Sequence, residues 1–311
     1  MVGKQDSLPL LVRVPNWLGD CVMAFPGLAA LSQLGFKLHL LGPPWLADVY
    51  SRDDWVYSVW PKQFKAQLNL MKTLPSKQMI LLPNSFSSAW VARRACKETV
   101  GYHTDWRRFL LSYAYKKPLA LHEVEYFALL MQKAAQVFGG VSVDALDIKG
   151  GALPLSQLVQ QDARQILRSS GVSGAYSVIC PFAVGAGERG RAKVWPHWQD
   201  LLDWLVERGI TCVMCPGPQD IMSFPESPGV FSLPSIGLGV YKSILADAQF
   251  VIANDTGPMH LAASVNTATL GVFGCTDPVR VRPWQGHFLG SVNHWPQLGS
   301  VVKWIDRQGL C

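Results

Sequence analysis

The amino-acid sequence predicts an α/β protein with two domains, each built on a parallel sheet. Short apolar runs alternate with longer stretches that carry apolar residues at helical spacing, the pattern of repeated strand–helix–strand units. The alternation stops once, at VSVDALDIKGGALPLS, where periodicity is lost and Gly and Pro accumulate. Because 311 residues can fill two separate cores, we expect domains at residues 1–150 and 151–311.

The first domain opens with a strand–loop–helix unit. LPLLVRVP is predicted to be a strand, NWLGD a loop and CVMAFPGLAALSQLG a helix. FKLHLLGPP and KQMILLPN are predicted to be later strands. Apolar residues at helical spacing from Glu123 to Phe138 predict a helix that ends at Gly139-Gly140.

A second alternating series follows the break in the pattern. YSVICPF, ITCVMCPG, QFVIAN and TATLGVFG are predicted strands, separated by the predicted helices HWQDLLDWLVERG, GVYKSILADA and PMHLAASV. These strands run into polar or glycine-rich loops. Since ligands of open α/β sheets bind at the carboxyl ends of strands, these loops are candidate binding sites, and two facing domains would form a cleft.

The composition excludes several classes of protein. Charged residues make up 16% and hydrophobic residues 49%, which indicates a packed interior rather than disorder. No apolar run has the length of a membrane span or the pattern of a signal peptide, so a cytosolic protein is expected. Seven cysteines, an odd number, indicate reduced thiols.

The net charge of +6 is mild and limits the possible partners. The basic residues form no long cluster, and no pattern of a nucleic-acid-binding module appears, so a nucleic acid is not an expected partner. An anionic membrane surface or a phosphorylated substrate fits this charge better.

A glycine-rich basic loop is predicted in VGAGERGRAKVWP. Its glycines, Gly185, Gly187 and Gly190, match the dinucleotide fingerprint G-x-G-x-x-G, but the next helix begins only at Pro196, so this match is weak. The loop also carries three cations, Arg189, Arg191 and Lys193. A flexible loop with three cations can bind a diphosphate. On chemistry alone, a solvated basic loop without a ligand is an equally good interpretation.

The segment NDTGPMHLAAS follows the apolar run QFVIA. Asp255 or Thr256 can cap a helix that begins at Pro258, and Gly257 lets the backbone approach a ligand closely. Free N–H groups and the helix dipole favour an anion there, and His260 can donate to a phosphate oxygen. An ordinary capped helix with a core histidine is the alternative. Beside a cationic glycine loop in the same domain, a phosphate site is the better interpretation.

Asp20 lies in NWLGDC, just after the first predicted strand. Its structural role would be that of an N-cap. Its chemical role would be that of a carboxylate that faces the cleft and takes a proton from an attacking hydroxyl. No D-x-D pair or His/Glu cluster occurs in a suitable loop, so we expect no metal, and backbone dipoles and cations would stabilise the leaving group.

Taken together, these segments resemble glycosyltransferase family 9, the ADP-heptose:lipopolysaccharide heptosyltransferases, most closely their type II branch. The resemblance spans nearly the whole chain, and it is carried by VRVPNWLGDCVMAFPGLAAL, LLPNSFSSAW, GYHTDWRRFLLS, HEVEYFALL, AKVWPHW and NDTGPMHLAA with GCTDP. It implies a GT-B fold, in which two Rossmann-like domains face a cleft. The first domain would bind the acceptor and the second the nucleotide sugar, and the last residues can pack back on the first domain.

The resemblance also implies roles for individual residues. Asp20 matches the proposed catalytic base, and Lys193 matches the lysine that contacts the donor's phosphates. The other expected donor-binding residues are Gly187, Arg191, Asp255, Thr256, Gly257 and His260. The expected contacts of an anionic acceptor are Arg93, Arg94, Arg107 and Arg108.

The implied activity is inverting transfer of L-glycero-D-manno-heptose from ADP-heptose to the lipid A-linked inner core of lipopolysaccharide. Neither a metal nor a cofactor is expected, and the enzyme would be a cytoplasmic monomer at the inner membrane surface. Gln219 stands where some relatives carry an acidic nucleotide contact, so another nucleotide sugar or acceptor stays open. A non-catalytic nucleotide-sugar- or NAD-binding protein is the alternative from another class.

Overall fold

The computed structural model describes residues 8–104, 106–141, 146–149, 151–183, 193–217 and 228–309. The chain divides into two compact units, Met1–Gly151 and Ala152–Cys311. This division falls in the segment where the sequence loses its periodicity.

The described part of the first unit contains a six-stranded sheet in which all neighbouring strands are parallel. The strands are β1 (Leu8–Arg13), β2 (Phe36–Gly42), β3 (Val56–Val59), β4 (Gln78–Leu81), β5 (Glu98–His103) and β6 (Tyr113–Lys116), in the order β3-β2-β1-β4-β5-β6. The central strand β1 pairs with β2 and β4, and its residues from Leu10 onward are buried.

The helices of the first unit are α1 (Leu18–Gln33), α2 (Leu46–Tyr50), α3 (Phe64–Thr73), α4 (Phe86–Ala95) and α5 (Glu123–Gly139), with a 3₁₀ helix, η1, at Arg107–Leu110. Helix α5 begins where the sequence predicts, and a capping box of His122 and Glu125 stabilises its first turn. It ends at Gly139, and the C-cap residue Gly140 adopts φ 62°.

Helices α1 and α5 pack closely because α1 carries a glycine at their contact. A Cβ atom at Gly27 would lie 2.6 Å from Met131 Sδ and 3.2 Å from Ala128 Cα. Helix α1 also begins at Leu18, three residues before the start that the sequence predicts. The interpretation of NWLGD as a loop is therefore wrong in its second half.

The second unit repeats this architecture. Its described strands form a six-stranded parallel sheet of β7 (Ser177–Cys180), β8 (Cys212–Met214), β9 (Val230–Ser232), β10 (Val251–Asn254), β11 (Thr269–Phe273) and β12 (His287–Gly290), in the order β12-β11-β10-β7-β8-β9. The helices are α6 (Gln157–Ser169), α7 (Trp198–Glu207), α8 (Leu238–Asp247), α9 (Gly257–Ala263), α10 (Pro278–Val281) and α11 (Leu298–Asp306).

Helix α11 packs in the core of the second unit. Val301, Trp304 and Ile305 are buried there, and the Trp304 ring lies edge-on to Phe250 with 6.1 Å between ring centroids. The described end of the chain therefore completes the second core.

Both sheets have the doubly wound strand order, so the predicted α/β fold with two Rossmann-like parallel sheets is confirmed. In each sheet the strand order reverses at one position, between β1 and β4 and between β7 and β10. Loops at the carboxyl ends of these strands are where such sheets bind ligands. In the described parts of the chain, no helix combines the length and the apolar character that a membrane span requires.

Candidate active site

The side chain of Asn254 organises the switch point of the second sheet. Asn254 is the last residue of β10 and is buried. Its amide donates to the Pro181 carbonyl just after β7 (2.6 Å), and its oxygen accepts from Trp195 N (3.0 Å) and Trp198 Nε1 (3.2 Å). Because Trp195 lies two residues after Lys193, this one buried amide holds the lysine-bearing segment against the ends of both central strands.

Asp255 joins two further loops at the same position. Its Oδ2 accepts from Lys193 Nζ at 2.9 Å and from Thr276 Oγ1 at 2.7 Å. The side chain of Asp255 is 10% exposed and that of Lys193 is 23% exposed. An ammonium group carries three donors, so Lys193 can hold Asp255 and still donate to an anion that approaches from solvent.

Thr256 and Gly257 form the start of helix α9. The helix begins at Gly257 rather than at the predicted Pro258, and Thr256 occupies the N-cap position. Thr256 makes no side-chain capping bond, and its hydroxyl donates to the Asn254 carbonyl at 3.2 Å. The prediction that Asp255 or Thr256 caps this helix with its side chain is therefore wrong, because the Asp255 carboxylate accepts from Lys193 and Thr276 instead. Helix α9 has only 7 residues, so its dipole is weak. The side chains around its first turn would therefore contribute more to binding an anion than the dipole does.

Of the remaining residues predicted to bind the donor, the structure describes His260 but not Gly187 or Arg191. His260 lies in α9 and is 5% exposed, so only a small part of its ring is open to a ligand. Its role as a phosphate donor stays a prediction. Gly187 and Arg191, together with Gln219, lie outside the described residues.

In the first unit, Asp20 lies in the first turn of α1, directly after the carboxyl end of β1. The N-cap position is occupied by Trp17, so the predicted structural role of Asp20 as the N-cap is wrong. The carboxylate is half-buried, and its charge is favourable at a helix N-terminus. Burial and the Asp20 charge both raise the pKa of the adjacent Cys21 thiol, which therefore stays neutral beside this carboxylate.

A buried arginine supports the loop that leads to Asp20. Arg13, the last residue of β1, donates to the carbonyls of Val14 and Leu41 and to the side-chain oxygen of Asn16. Its guanidinium lies 5.1 Å from the centre of the Trp60 ring. Burial lowers the pKa of Arg13 to about 10, which keeps it charged at neutral pH. These contacts fix the backbone between β1 and α1.

The four arginines predicted to contact the acceptor lie on two elements. Arg93 and Arg94 are in the last turn of α4, which runs from the carboxyl end of β4 toward the amino end of β5. Arg94 packs over the Trp90 ring at 4.0 Å. Arg107 and Arg108 follow β5 at the carboxyl edge.

Arg107 is fully buried, at 0% exposure, and its donors serve the protein itself. They bind the carbonyls of Tyr102 (2.7 Å) and Pro83 (2.6 Å) and the Asn84 side-chain oxygen (3.3 Å). This position argues against a contact with the acceptor. Arg108 is exposed, and it alone among the four combines exposure with the carboxyl edge.

Replacing Arg107 with Met is expected to lower the free energy of unfolding by about 3 kcal/mol, because buried carbonyls lose their donors. The matched control is Arg108→Met, which removes the same charge from an exposed neighbour and should change stability by less than about 0.5 kcal/mol. Urea denaturation of both variants measures the difference. Equal stabilities would show that Arg107 does not anchor the loop.

Sequence reasoning did not single out Asn254, Thr276 or Arg13 as site residues. Asn254 and Thr276 occur in the motifs NDTGP and GCTDP. For Asn254, a polar residue at the end of an apolar strand is a sequence signal of a binding-site position. The contact of Thr276 with Asp255 spans 21 residues, and no local pattern predicts it. The described ranges contain no group of three or more His, Cys, Asp or Glu side chains arranged to hold a metal ion.

Two units, each built on a doubly wound parallel six-stranded sheet, have the architecture of a GT-B glycosyltransferase. The chain belongs to glycosyltransferase family 9 (heptosyltransferase), whose profile matches residues 67–303. The protein is therefore an enzyme that transfers a sugar, and the resemblance drawn from its motifs is confirmed.

Individual relatives agree with this family assignment. Lipooligosaccharide heptosyltransferase 2 of Haemophilus ducreyi is 24% identical over 310 residues, which cover 89% of this chain and 86% of that protein. The structure of E. coli ADP-heptose lps heptosyltransferase II is similar with a TM-score of 0.76 at 19% identity, covering 97% of this chain and 98% of that one. E. coli heptosyltransferase WaaC with ADP gives a TM-score of 0.72 at 21% identity, covering 97% and 100%. These structures share the fold of this chain.

Proposed function

We propose that this glycosyltransferase transfers L-glycero-D-manno-heptose from ADP-heptose to the inner core of lipopolysaccharide, with inversion at the anomeric carbon and without a metal ion. The observation that carries the proposal is the half-buried ammonium of Lys193, held by Asp255 at the switch point of the second sheet. The names of the relatives support the sugar and the acceptor class. The similar structure that contains ADP supports the nucleotide.

The second unit would bind the donor. Lys193 is oriented by Asp255, which is itself held by Thr276, so the ammonium is presented to a diphosphate with little loss of side-chain freedom on binding. The backbone at Thr256 and Gly257, together with His260, would contribute further donors. As the bond between the anomeric carbon and the diphosphate breaks, negative charge grows on ADP, and a fixed cation stabilises that charge.

The first unit would bind the acceptor and supply the base. Asp20 takes the proton of the acceptor hydroxyl as the hydroxyl oxygen attacks the anomeric carbon from the face opposite ADP. One carbon–oxygen bond forms, and the bond to the diphosphate oxygen breaks with its electron pair leaving on ADP. A single displacement of this kind inverts the anomeric configuration. Arg108 is the remaining arginine proposed to meet the anionic acceptor.

The acceptor is attached to lipid A, so the proposal also places the enzyme at the cytoplasmic face of the inner membrane. The net charge of +6 favours peripheral attraction to anionic lipids. The active form is proposed to be a monomer.

Donor choice tests the proposal against its nearest rival, a family 9 enzyme with another nucleotide sugar. The enzyme is incubated with heptosyl-Kdo-lipid A, EDTA, and either ADP-heptose, ADP-glucose, UDP-glucose or GDP-mannose, and release of the nucleoside diphosphate is measured. We expect release from ADP-heptose at least about a hundredfold faster than from the others, since recognition of both base and sugar adds several kcal/mol. Faster release from another donor, or no release in EDTA, would contradict the proposal.

A further inference from the structure

Two aromatic side chains are exposed on one short turn of the first unit. In the aromatic turn, residues 106–110, Trp106 is 86% exposed and Phe109 is 80% exposed. Leu119, which follows the neighbouring strand β6, is 81% exposed. Single exposed apolar residues are common, but three large ones beyond the carboxyl ends of two adjacent strands indicate a contact surface.

The aromatic turn is held rigidly while its aromatic residues face solvent. Arg107, between Trp106 and Phe109 in sequence, is buried and donates to the carbonyls of Tyr102 in β5 and of Pro83 after β4. Trp106 adopts φ 63°, a left-handed conformation that is uncommon for a bulky residue. The surrounding contacts therefore impose the conformation that presents the two rings to solvent.

The chain segment that contains the aromatic turn carries a net positive charge. From His103 to Leu121 the sequence carries four basic residues and one acidic residue, Asp105. Arg108 and Lys116 are exposed, and Lys117 is half-buried against the Tyr126 ring, with its ammonium 5.4 Å from the ring centre. Exposed aromatic rings among cations match the interface of an anionic bilayer, where rings settle at the headgroup level and cations meet lipid phosphates.

We propose that the aromatic turn docks the enzyme on an anionic phospholipid bilayer, with Trp106 and Phe109 inserted at the headgroup level. This inference rests on the proposed function, since a lipid-linked acceptor lies in such a membrane, and it assigns the docking to a particular turn rather than to net charge.

The test is co-sedimentation of the full chain with vesicles of phosphatidylglycerol and phosphatidylethanolamine, or of phosphatidylcholine alone. Wild type is expected to bind the anionic vesicles more tightly than the neutral ones. Substituting Trp106→Ser and Phe109→Ser together should weaken binding at least tenfold, because two large apolar side chains no longer enter the interface. The matched control is Val56→Ser with Val59→Ser, which removes exposed apolar groups from the edge strand β3 and should leave binding unchanged.

Three results would overturn the inference. The first is equal vesicle binding by wild type and the aromatic variant. The second is concentration-dependent self-association of wild type that the aromatic variant loses, which would make the turn an interface between copies. The third is that the aromatic variant, unlike wild type, fails to transfer heptose to a delipidated, water-soluble core saccharide. That result would show that the two rings contact the acceptor saccharide rather than the membrane. Vesicle binding needs neither donor nor transfer, so a failed docking test is distinct from a failed proposed function.

Discussion

An Asp20→Asn variant is expected to bind ADP-heptose as tightly as wild type and to transfer heptose about 10² to 10⁴ times more slowly. Asparagine keeps the size of the side chain in the first turn of α1 but cannot take a proton, and general-base catalysis contributes a factor of that order. Single-turnover kinetics with saturating donor measure the loss, and calorimetric titration with the donor measures the affinity.

The matched control for this variant is Asp48→Asn. Asp48 is exposed in the first turn of α2, which follows β2 of the same sheet, so it has the same local position relative to its helix and the same charge. Loss of this carboxylate should leave transfer within about twofold of wild type, since surface substitutions of this kind have small effects. Transfer by Asp20→Asn at the rate of the control would exclude Asp20 as the base.

Replacing Lys193 with Met is expected to weaken donor binding by about tenfold to a hundredfold. A hydrogen bond to a charged group contributes roughly 1.5–3 kcal/mol, and each 1.4 kcal/mol is a factor of ten in affinity. The variant also leaves the Asp255 carboxylate, 10% exposed, without its cation, and this charge would repel the diphosphate. Titration with ADP-heptose and with ADP should show similar losses, because both carry the diphosphate.

Two further variants separate a lost contact from a damaged fold. Arg164→Met breaks an exposed ion pair with Asp247 in the same unit, with side chains 56% and 36% exposed, and should not change donor affinity. Lys193→Arg keeps the charge and should restore part of the affinity. Wild-type affinity in Lys193→Met would show that the lysine does not contact the diphosphate.

The sequence predicts the fold well because strand burial and helix periodicity are local signals. Strands that are buried on both faces, such as β10 and β11, appear in the sequence as nearly continuous apolar runs. The end of α5 is marked by Gly140, whose φ is positive. The start of α1 differs from the predicted start for a physical reason. Its first turn, Leu18 to Asp20, contains a glycine and lacks a side-chain cap, so it reads as a loop.

The candidate site was less accessible to local patterns. Lys193 and Asp255 are 62 residues apart, and only the fold brings their side chains together. Arg107 and Arg108 are adjacent and identical in type, so sequence cannot tell which one is buried. The 3₁₀ turn points the first into the protein and the second into solvent. The motif resemblance named Lys193 and Asp255 but could not show their contact. It also grouped four arginines of which Arg107 is fully buried.

The most direct test of the central claim is mass spectrometry of heptosyl-Kdo-lipid A after incubation with ADP-heptose and EDTA. Wild type and Asp48→Asn are expected to add one heptose to the acceptor, with ADP released in equal amount, while Asp20→Asn adds it at least about a hundredfold more slowly. The contradicting result is that wild type leaves the acceptor unmodified and that the wild-type enzyme binds neither ADP-heptose nor ADP. Heptosyl transfer by this chain would then be excluded.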